Sequence, residues 1–322
     1  MDDIRWFASN AYTSLLIGEL RRRGLSIALE GTAPARVALG MSGAIAEETW
    51  RYAHGRGCPL VLYLWDLHPH ATSSGVADPV WWVAGRFARL PRPFGGFPGR
   101  RGYYSRLRYI AARADEVWVP SGLTQVSLRT RFGLNSRRVP YCYDSTRFRP
   151  HQASRDDPPT LLTVSRLQRY KNQAATVLAA ARLGRGVQVR LIGQGPERDS
   201  LRQLADSHRV RCRIDTEADD DAVADAYLRA RVAVCPSRFE GFGVTPIEAV
   251  ASGTPTVASD IPPHREFVGS AARLFTLDDI DKLAKAVGAA LNDPPPDSGW
   301  VRELTIPAAA ERFLGFLRPL LG

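Results

Sequence analysis

The chain has 322 residues, 44% of them hydrophobic and 24% charged, with a formal net charge of +10. At about 150 residues per domain this length predicts two domains with separate cores, which excludes a single small module. The composition is that of an ordinary globular protein, and no apolar run approaches the roughly 18 residues of a membrane span, so disorder and a transmembrane anchor are both set aside.

From Ile4 onward, short apolar runs alternate with amphipathic segments of helix length. Strands are predicted at Ile4–Phe7, Ser26–Leu29, Val37–Leu39, Leu60–Trp65 and Glu116–Val119, with helices at Tyr12–Arg23, Ala44–His54 and Leu123–Phe132. After the polar, proline-containing stretch His151–Pro159 the rhythm restarts, with strands at Thr160–Ser165, Gln188–Ile192, Arg211–Ile214, Val232–Pro236 and Thr256–Ala258. This pattern predicts two doubly wound α/β domains. Pro294–Pro296 ends the last helix of the second half, and Pro307–Leu321 is again helical, with Phe313, Leu314, Leu317 and Leu321 on one face that could return to the first domain.

The charge is unevenly placed. Residues 1–150 hold 21 Arg, no Lys and 11 acids (21 − 11 = +10), whereas residues 151–322 hold 22 basic and 22 acidic residues (22 − 22 = 0). An anionic partner for the first half is the expectation. Much of the excess lies in residues 79–114, with eight Arg, no acid, and Trp81, Trp82, Phe87, Phe94, Phe97, Tyr103, Tyr104 and Tyr109. Arginine mixed with aromatics suits an anionic membrane surface. The competing readings are a core-facing helix with a solvated basic loop, and single-stranded nucleic acid, which no recognised binding motif supports. The four cysteines, Cys58, Cys142, Cys212 and Cys235, form no C-x-x-C pair and read as reduced thiols. Asp2 and Asp3 occupy the positions where a signal peptide is basic. The expected location is cytoplasmic, peripheral on the inner face of the plasma membrane if the basic segment docks there.

In an open parallel sheet, ligands bind outside the carboxyl ends of the strands, which directs attention to three turns of the second half. The first, Ser165–Lys171, places Arg166 and Lys171 on one loop, where a planar fork and a point charge suit two phosphates; a solvated loop charge is the alternative. Lys171 is one of only three lysines in the chain, which singles it out among so many arginines. The second turn, Gly193-Gln194-Gly195-Pro196, allows close backbone approach, but Arg198 stands where a dinucleotide fingerprint needs its third glycine. The third runs Glu240-Gly241-Phe242-Gly243-Val244-Thr245-Pro246-Ile247-Glu248. Here Thr245 is the expected N-cap, with Pro246 at the first and Glu248 at the third helical position. The N-terminus of that helix suits a diphosphate, whereas Glu240 has no capping role and suits ligand hydroxyls. Glu248 could equally cap its own helix. Asp219-Asp220-Asp221 offers a superficial metal pair but reads as the acidic start of a helix, and no metal is expected.

The combination of Arg166 with Lys171, Gly193-x-Gly195-Pro196, Glu240-x7-Glu248, Gly253-Thr254-Pro255 and Glu266 resembles the retaining glycosyltransferases of family 4, glycosyl transferases group 1. Arg113–Ser121 and Asp144–Pro150 look like that family's segments facing the partner domain, and the resemblance covers roughly residues 110–275. It implies a GT-B fold, two Rossmann-like domains facing a central cleft: 1–150 for the acceptor, 151–300 for the nucleotide sugar, and 301–322 as a helix returning to the first. It further implies that Arg166 and Lys171 hold the donor diphosphate, with Gly193 and Gly195 on the nucleotide side. Glu248 would take the ribose, and Glu240 with the backbone of Gly241, Phe242, Gly243, Val244 and Thr245 the donor sugar. His68, in Asp66–His70 after a predicted strand, stands where the family often places a histidine beside the sugar; a surface histidine is the alternative. The donor expected is a GDP- or UDP-linked hexose, mannose or glucose, and no other cofactor. One departure stands out: the family's Gly-Gly loop after the first strand is replaced by Ser9-Asn10-Ala11-Tyr12-Thr13. Two rival functions remain on the sequence, a catalytically silent subunit that binds a partner or membrane, and a nucleotide-sugar epimerase of the same fold.

Overall fold

A computed structural model describes residues 1–7, 11–29, 33–65, 100–151, 154–184 and 186–322. The chain forms two compact units, one of Met1–Cys142 with Ile306–Gly322 and one of Tyr143–Thr305.

The first unit contains β1 (Asp2–Phe7), α1 (Ala11–Arg22), β2 (Ile27–Ala28), β3 (Ala35–Gly40), α2 (Ala46–Arg56), β4 (Leu60–Tyr63), α3 (Arg100–Ala111), β5 (Glu116–Val119), α4 (Gly122–Phe132) and β6 (Arg137–Arg138). The strands form one parallel sheet in the order β2-β1-β3-β4-β5-β6. Strand β4 is buried at all four residues, Leu-Val-Leu-Tyr, as expected where helices cover both faces of a parallel sheet. Helix α4 starts where the Ser121 hydroxyl accepts the Thr124 N–H at 3.3 Å, and it stops at Gly133.

The last helix, α11 (Ile306–Leu321), also belongs to this unit. Its Phe313 is fully buried, with ring centroids 6.2 Å from Trp6, 5.7 Å from Tyr63 and 5.3 Å from Trp118. The Arg312 guanidinium donates to the Pro140 carbonyl at 3.2 Å.

The second unit contains β7 (Thr160–Val164), α5 (Gln173–Leu183), β8 (Gln188–Ile192), α6 (Arg198–Ser207), β9 (Cys212–Asp215), α7 (Asp220–Arg229), β10 (Val232–Cys235), α8 (Val244–Ala251), β11 (Thr256–Ser259), α9 (Pro262–Val268), β12 (Arg273–Phe275) and α10 (Ile280–Ala290). Its parallel order is β12-β11-β10-β7-β8-β9. Leu161, Val189, Leu191, Val232, Val234 and Val257 of the strands pack with Val177, Leu283 and Val287 of α5 and α10 into one core.

Two α/β units with parallel sheets are what the alternation of apolar runs predicts. Strands β6 and β12 were not anticipated. Both are short edge strands, and Arg-Arg or Arg-Leu-Phe carries too little apolar content to register as a strand. Asp219 caps α7 by accepting the Ala222 N–H at 2.8 Å, while Asp220 and Asp221 pair with Arg147.

Phe313→Ala removes a ring stacked on Trp6 and Tyr63 and edge-on to Trp118, and is expected to cost about 3–5 kcal/mol of unfolding free energy. Urea titration measures it, and a loss below about 1 kcal/mol would show that α11 contributes little to the first core.

Candidate functional site

Strand β7 lies between β10 and β8. From β7 the chain winds outward through β8 and β9, and then restarts on the other side with β10, β11 and β12. The direction of winding therefore reverses between β7 and β10, and a crevice opens at the carboxyl ends of the strands at such a reversal. The three turns that the sequence singles out, after β7, β8 and β10, all leave this edge side by side.

The turns after β7 and β8 are joined through their backbones. The Leu167 N–H donates to the Gln194 carbonyl at 2.7 Å, and the Glu197 N–H donates to the Leu167 carbonyl at 3.1 Å. Gly193 and Gly195 have φ of +144° and +153°, and a Cβ there would stand 2.0 Å from the Ser165 oxygen and 2.2 Å from the Leu167 oxygen. Only glycine satisfies both the conformation and the spacing. The close approach these glycines permit is thus to the neighbouring loop.

The turns after β7 and β10 are joined by side chains. Lys171 Nζ lies 2.6 Å from Glu240 Oε1, and both side chains are only 12% exposed. The Asn172 amide donates to the Pro236 carbonyl at 3.2 Å, and the Arg238 N–H donates to the Tyr170 carbonyl at 2.8 Å. Arg166 is exposed, and its guanidinium donates to the Tyr170 hydroxyl at 2.7 Å, while Lys171 Nζ stands 5.3 Å from the centre of that tyrosine ring. Arg166, Lys171 and Glu240 therefore meet around Tyr170 and the ion pair.

Burial on its own raises the Glu240 carboxyl. The Lys171 ammonium, the charge on His264 when protonated, and hydrogen bonds from Lys171 and Ser237 outweigh it, so the group is held below the ordinary value of 4.5. Cys235, just below, is pushed up to about 12, first by burial and then by the Glu240 charge, so it is a thiol at neutral pH.

Helix α8 begins at Val244 with Gly243 as its N-cap, at φ +86° and without a side-chain cap. This corrects the expectation for Thr245, Pro246 and Glu248. The left-handed turn that Gly243 permits starts the helix two residues earlier, so Thr245 lies inside the helix and Pro246 falls at its third position, where the N–H has no intrahelical partner to lose. Glu248 sits one turn further in, 4% exposed, and accepts a hydrogen bond from the Tyr227 hydroxyl at 3.4 Å. It does not cap the helix. Phe242 is buried and packs edge-on against Phe267 of α9, with centroids 4.6 Å apart.

The structure thus gathers Arg166, Lys171, Gly193, Gly195, Glu240 and Gly241–Thr245 at one edge of one sheet. His68 and His70 lie outside the described residues, as do Ser9 and Asn10 of the departure noted above and the part of the basic segment before residue 100. Sequence reasoning passed over Tyr170, Asn172 and His264. Asn172 carries a legible signal, an Asn directly before a helix, and it adopts φ 58° to start α5.

Because the Glu240 value is lower in the folded chain than its ordinary 4.5, its contribution to stability is present above that value and lost as pH falls through the depressed one. Glu240→Gln is expected to be less stable than the parent at pH 7, with the gap narrowing at about pH 3.5 in urea titrations. An equal gap at both pH values would mean that the carboxylate charge plays no part.

Residues 144–303, nearly the whole second unit, match the family model for glycosyl transferases group 1. The chain is 31% identical over 234 residues to a glycogen synthase of Mycobacterium tuberculosis, covering 70% of this chain and 54% of that protein. It is 34% identical over 150 residues to a phosphatidyl-myo-inositol mannosyltransferase of Mycolicibacterium smegmatis, covering 44% of this chain and 38% of that one. The chain thus spans about half the length, or less, of these curated relatives. Among solved structures, Anabaena HepE in complex with UDP and glucose matches with a TM-score of 0.75 at 14% identity, over 99% of this chain and 100% of that one. Sucrose-phosphate synthase from Thermosynechococcus elongatus matches with 0.71 at 18% identity, over 100% and 96%. With its two parallel sheets and the motifs of the second unit, the chain belongs to the group 1 glycosyltransferases and has the GT-B fold.

Proposed function

We propose that this chain is a retaining glycosyltransferase of family 4 that moves a hexose, glucose or mannose, from a UDP- or GDP-linked donor to an acceptor at a membrane surface. The observation that carries the reading is the Lys171–Glu240 pair, set where the winding reverses, between the loop bearing Arg166 and the glycine-led start of α8. Two cations and the N–H groups of a helix's first turn suit the charge that grows on a departing diphosphate.

In this scheme Arg166, Lys171 and the start of α8 stabilise the leaving diphosphate, in place of a metal ion. Glu240 and the Gly241–Gly243 backbone hold sugar hydroxyls, Glu248 takes the ribose, and Gly193 and Gly195 shape the nucleotide side. His68 orients a hydroxyl of the sugar. The bond between the anomeric carbon and the phosphate oxygen breaks, the acceptor oxygen attacks from the same face, and its proton passes to the departing phosphate oxygen. No protein base is required.

The first unit binds the acceptor. Relatives named as phosphatidylinositol mannosyltransferases support a lipid-linked one. Helix α3 supports it too, because its sequence carries Arg100, Arg101 and Arg108 and no acid, as an anionic headgroup layer favours, while its Arg106 pairs with Glu47 of α2. In this reading the chain sits peripherally on the cytoplasmic face of that membrane; no helix among the described residues is long and apolar enough to cross one.

Two measurements test the reading. UDP or GDP at about 100 times its dissociation constant should stabilise the fold by about 2.7 kcal/mol, read as a rise in Tm. Lys171→Gln should lower kcat on the order of 100-fold while leaving the far-ultraviolet circular dichroism unchanged. A chain stabilised by neither nucleotide, and consuming no UDP- or GDP-hexose, is no such transferase.

A further inference from the structure

Helix α9 follows β11 at the same carboxyl edge, and two of its residues, His264 and Phe267, lie three apart and so share a face. Both meet the glycine loop that precedes α8. Phe267 packs on Phe242, and the His264 ring lies under Gly243, where a Cβ would stand 3.2 Å from its Cδ2 and 3.5 Å from its Nε2. The imidazole is 1% exposed.

Its orientation is fixed. Nδ1 lies 2.9 Å from the Ser259 carbonyl oxygen and 3.2 Å from the Ser259 hydroxyl, which itself donates to the Ser237 carbonyl at 2.5 Å. A carbonyl only accepts, so Nδ1 carries the proton. Burial favours the neutral ring, against the pull of Glu240, and Nε2 is then an acceptor. That nitrogen is buried and has no hydrogen-bond partner among the described residues. An apolar side chain would fill the same volume without leaving a desolvated acceptor unpaired. A polar edge kept against this particular glycine points to a use.

We propose that His264 is a positioning residue of the donor site, fixing the Gly241–Gly243 backbone beside Glu240 so that the loop meets the donor sugar in its reactive pose. The inference rests on the donor-site reading above. Ser259 ties the ring to the loop after β10 through Ser237, and the ring edge sets how closely Gly243 approaches. The loop's path is thereby referred to the rigid end of β11. Glu240, three residues before Gly243, inherits that path together with its bond to Lys171.

The test uses the full chain, with UDP- and GDP-hexoses as donors and binding of free UDP and GDP as a separate readout. His264→Asn keeps an amide N–H for Ser259 and removes the Nε2 edge, whereas His264→Gln places a polar atom near the Nε2 position. With His264→Asn, kcat should fall at least tenfold while nucleotide affinity stays within about threefold of the parent, and His264→Gln should recover part of the loss. Parent-like kcat in both variants would overturn the inference, and so would a loss of nucleotide affinity in parallel with kcat, the mark of a merely structural ring. If His264→Asn does not fold, His264→Gln decides alone by the same split between kcat and affinity. A parent chain that binds neither nucleotide and consumes no donor overturns the donor-site reading itself, whereas a parent that turns over while both variants match it overturns only the role of His264.

Discussion

Two opposite charges held 2.6 Å apart and largely shielded from water, Lys171 and Glu240, join the loops that follow two neighbouring parallel strands. Such a pair tolerates shielding only while both partners are present, because the charge left behind by losing one would be poorly solvated. Each loop is therefore anchored to the other. The Asn172 amide on Pro236 and the Arg238 N–H on Tyr170 reinforce the junction with bonds that span the same gap. The outcome is a polar edge whose geometry is set before any ligand arrives, the condition under which fixed charges and dipoles act most strongly on a developing charge.

This junction depends in turn on strand order. A parallel sheet sends every βα turn out of one edge, and the reversal between β7 and β10 makes neighbours of turns separated in sequence by three strands and three helices. Gly193 and Gly195 let the turn after β8 close onto the turn after β7 with backbone contact that no side chain would permit. Gly243 does the comparable service at the start of α8, and His264 and Phe267 support that loop from below. Conformationally permissive residues here are framed by rigid ones.

Much of the fold was legible because its signals are local. Runs such as Leu60–Tyr63, Gln188–Ile192 and Val232–Cys235 are short, apolar and bounded by turn residues, and helices of ordinary length separate them. Edge strands such as Arg137–Arg138 escaped notice because a strand at the rim of a sheet buries little and needs no apolar pattern. In the site, Arg166, Lys171, Glu240 and the glycines stood out by type and spacing. The start of α8 was misplaced because Thr-x-x-Glu is a capping pattern wherever it occurs, and a left-handed glycine two residues upstream pre-empted it. His264 was invisible because a histidine among prolines in a short segment has no distinctive neighbours.

The residues alone determined the parallel α/β class and the three turns rich in charge and glycine, since each of these is written in periodicity or in spacing along the chain, and the motifs in those turns carried the resemblance to the family. Only the tertiary structure decided that Lys171 is paired with a carboxylate 69 residues away, that α8 starts at Val244, that Glu248 is buried against Tyr227, and that a histidine lies beneath Gly243. The physical reason is that these contacts are made across strands, and which strands become neighbours is settled by how the whole sheet winds rather than by any stretch of sequence read on its own.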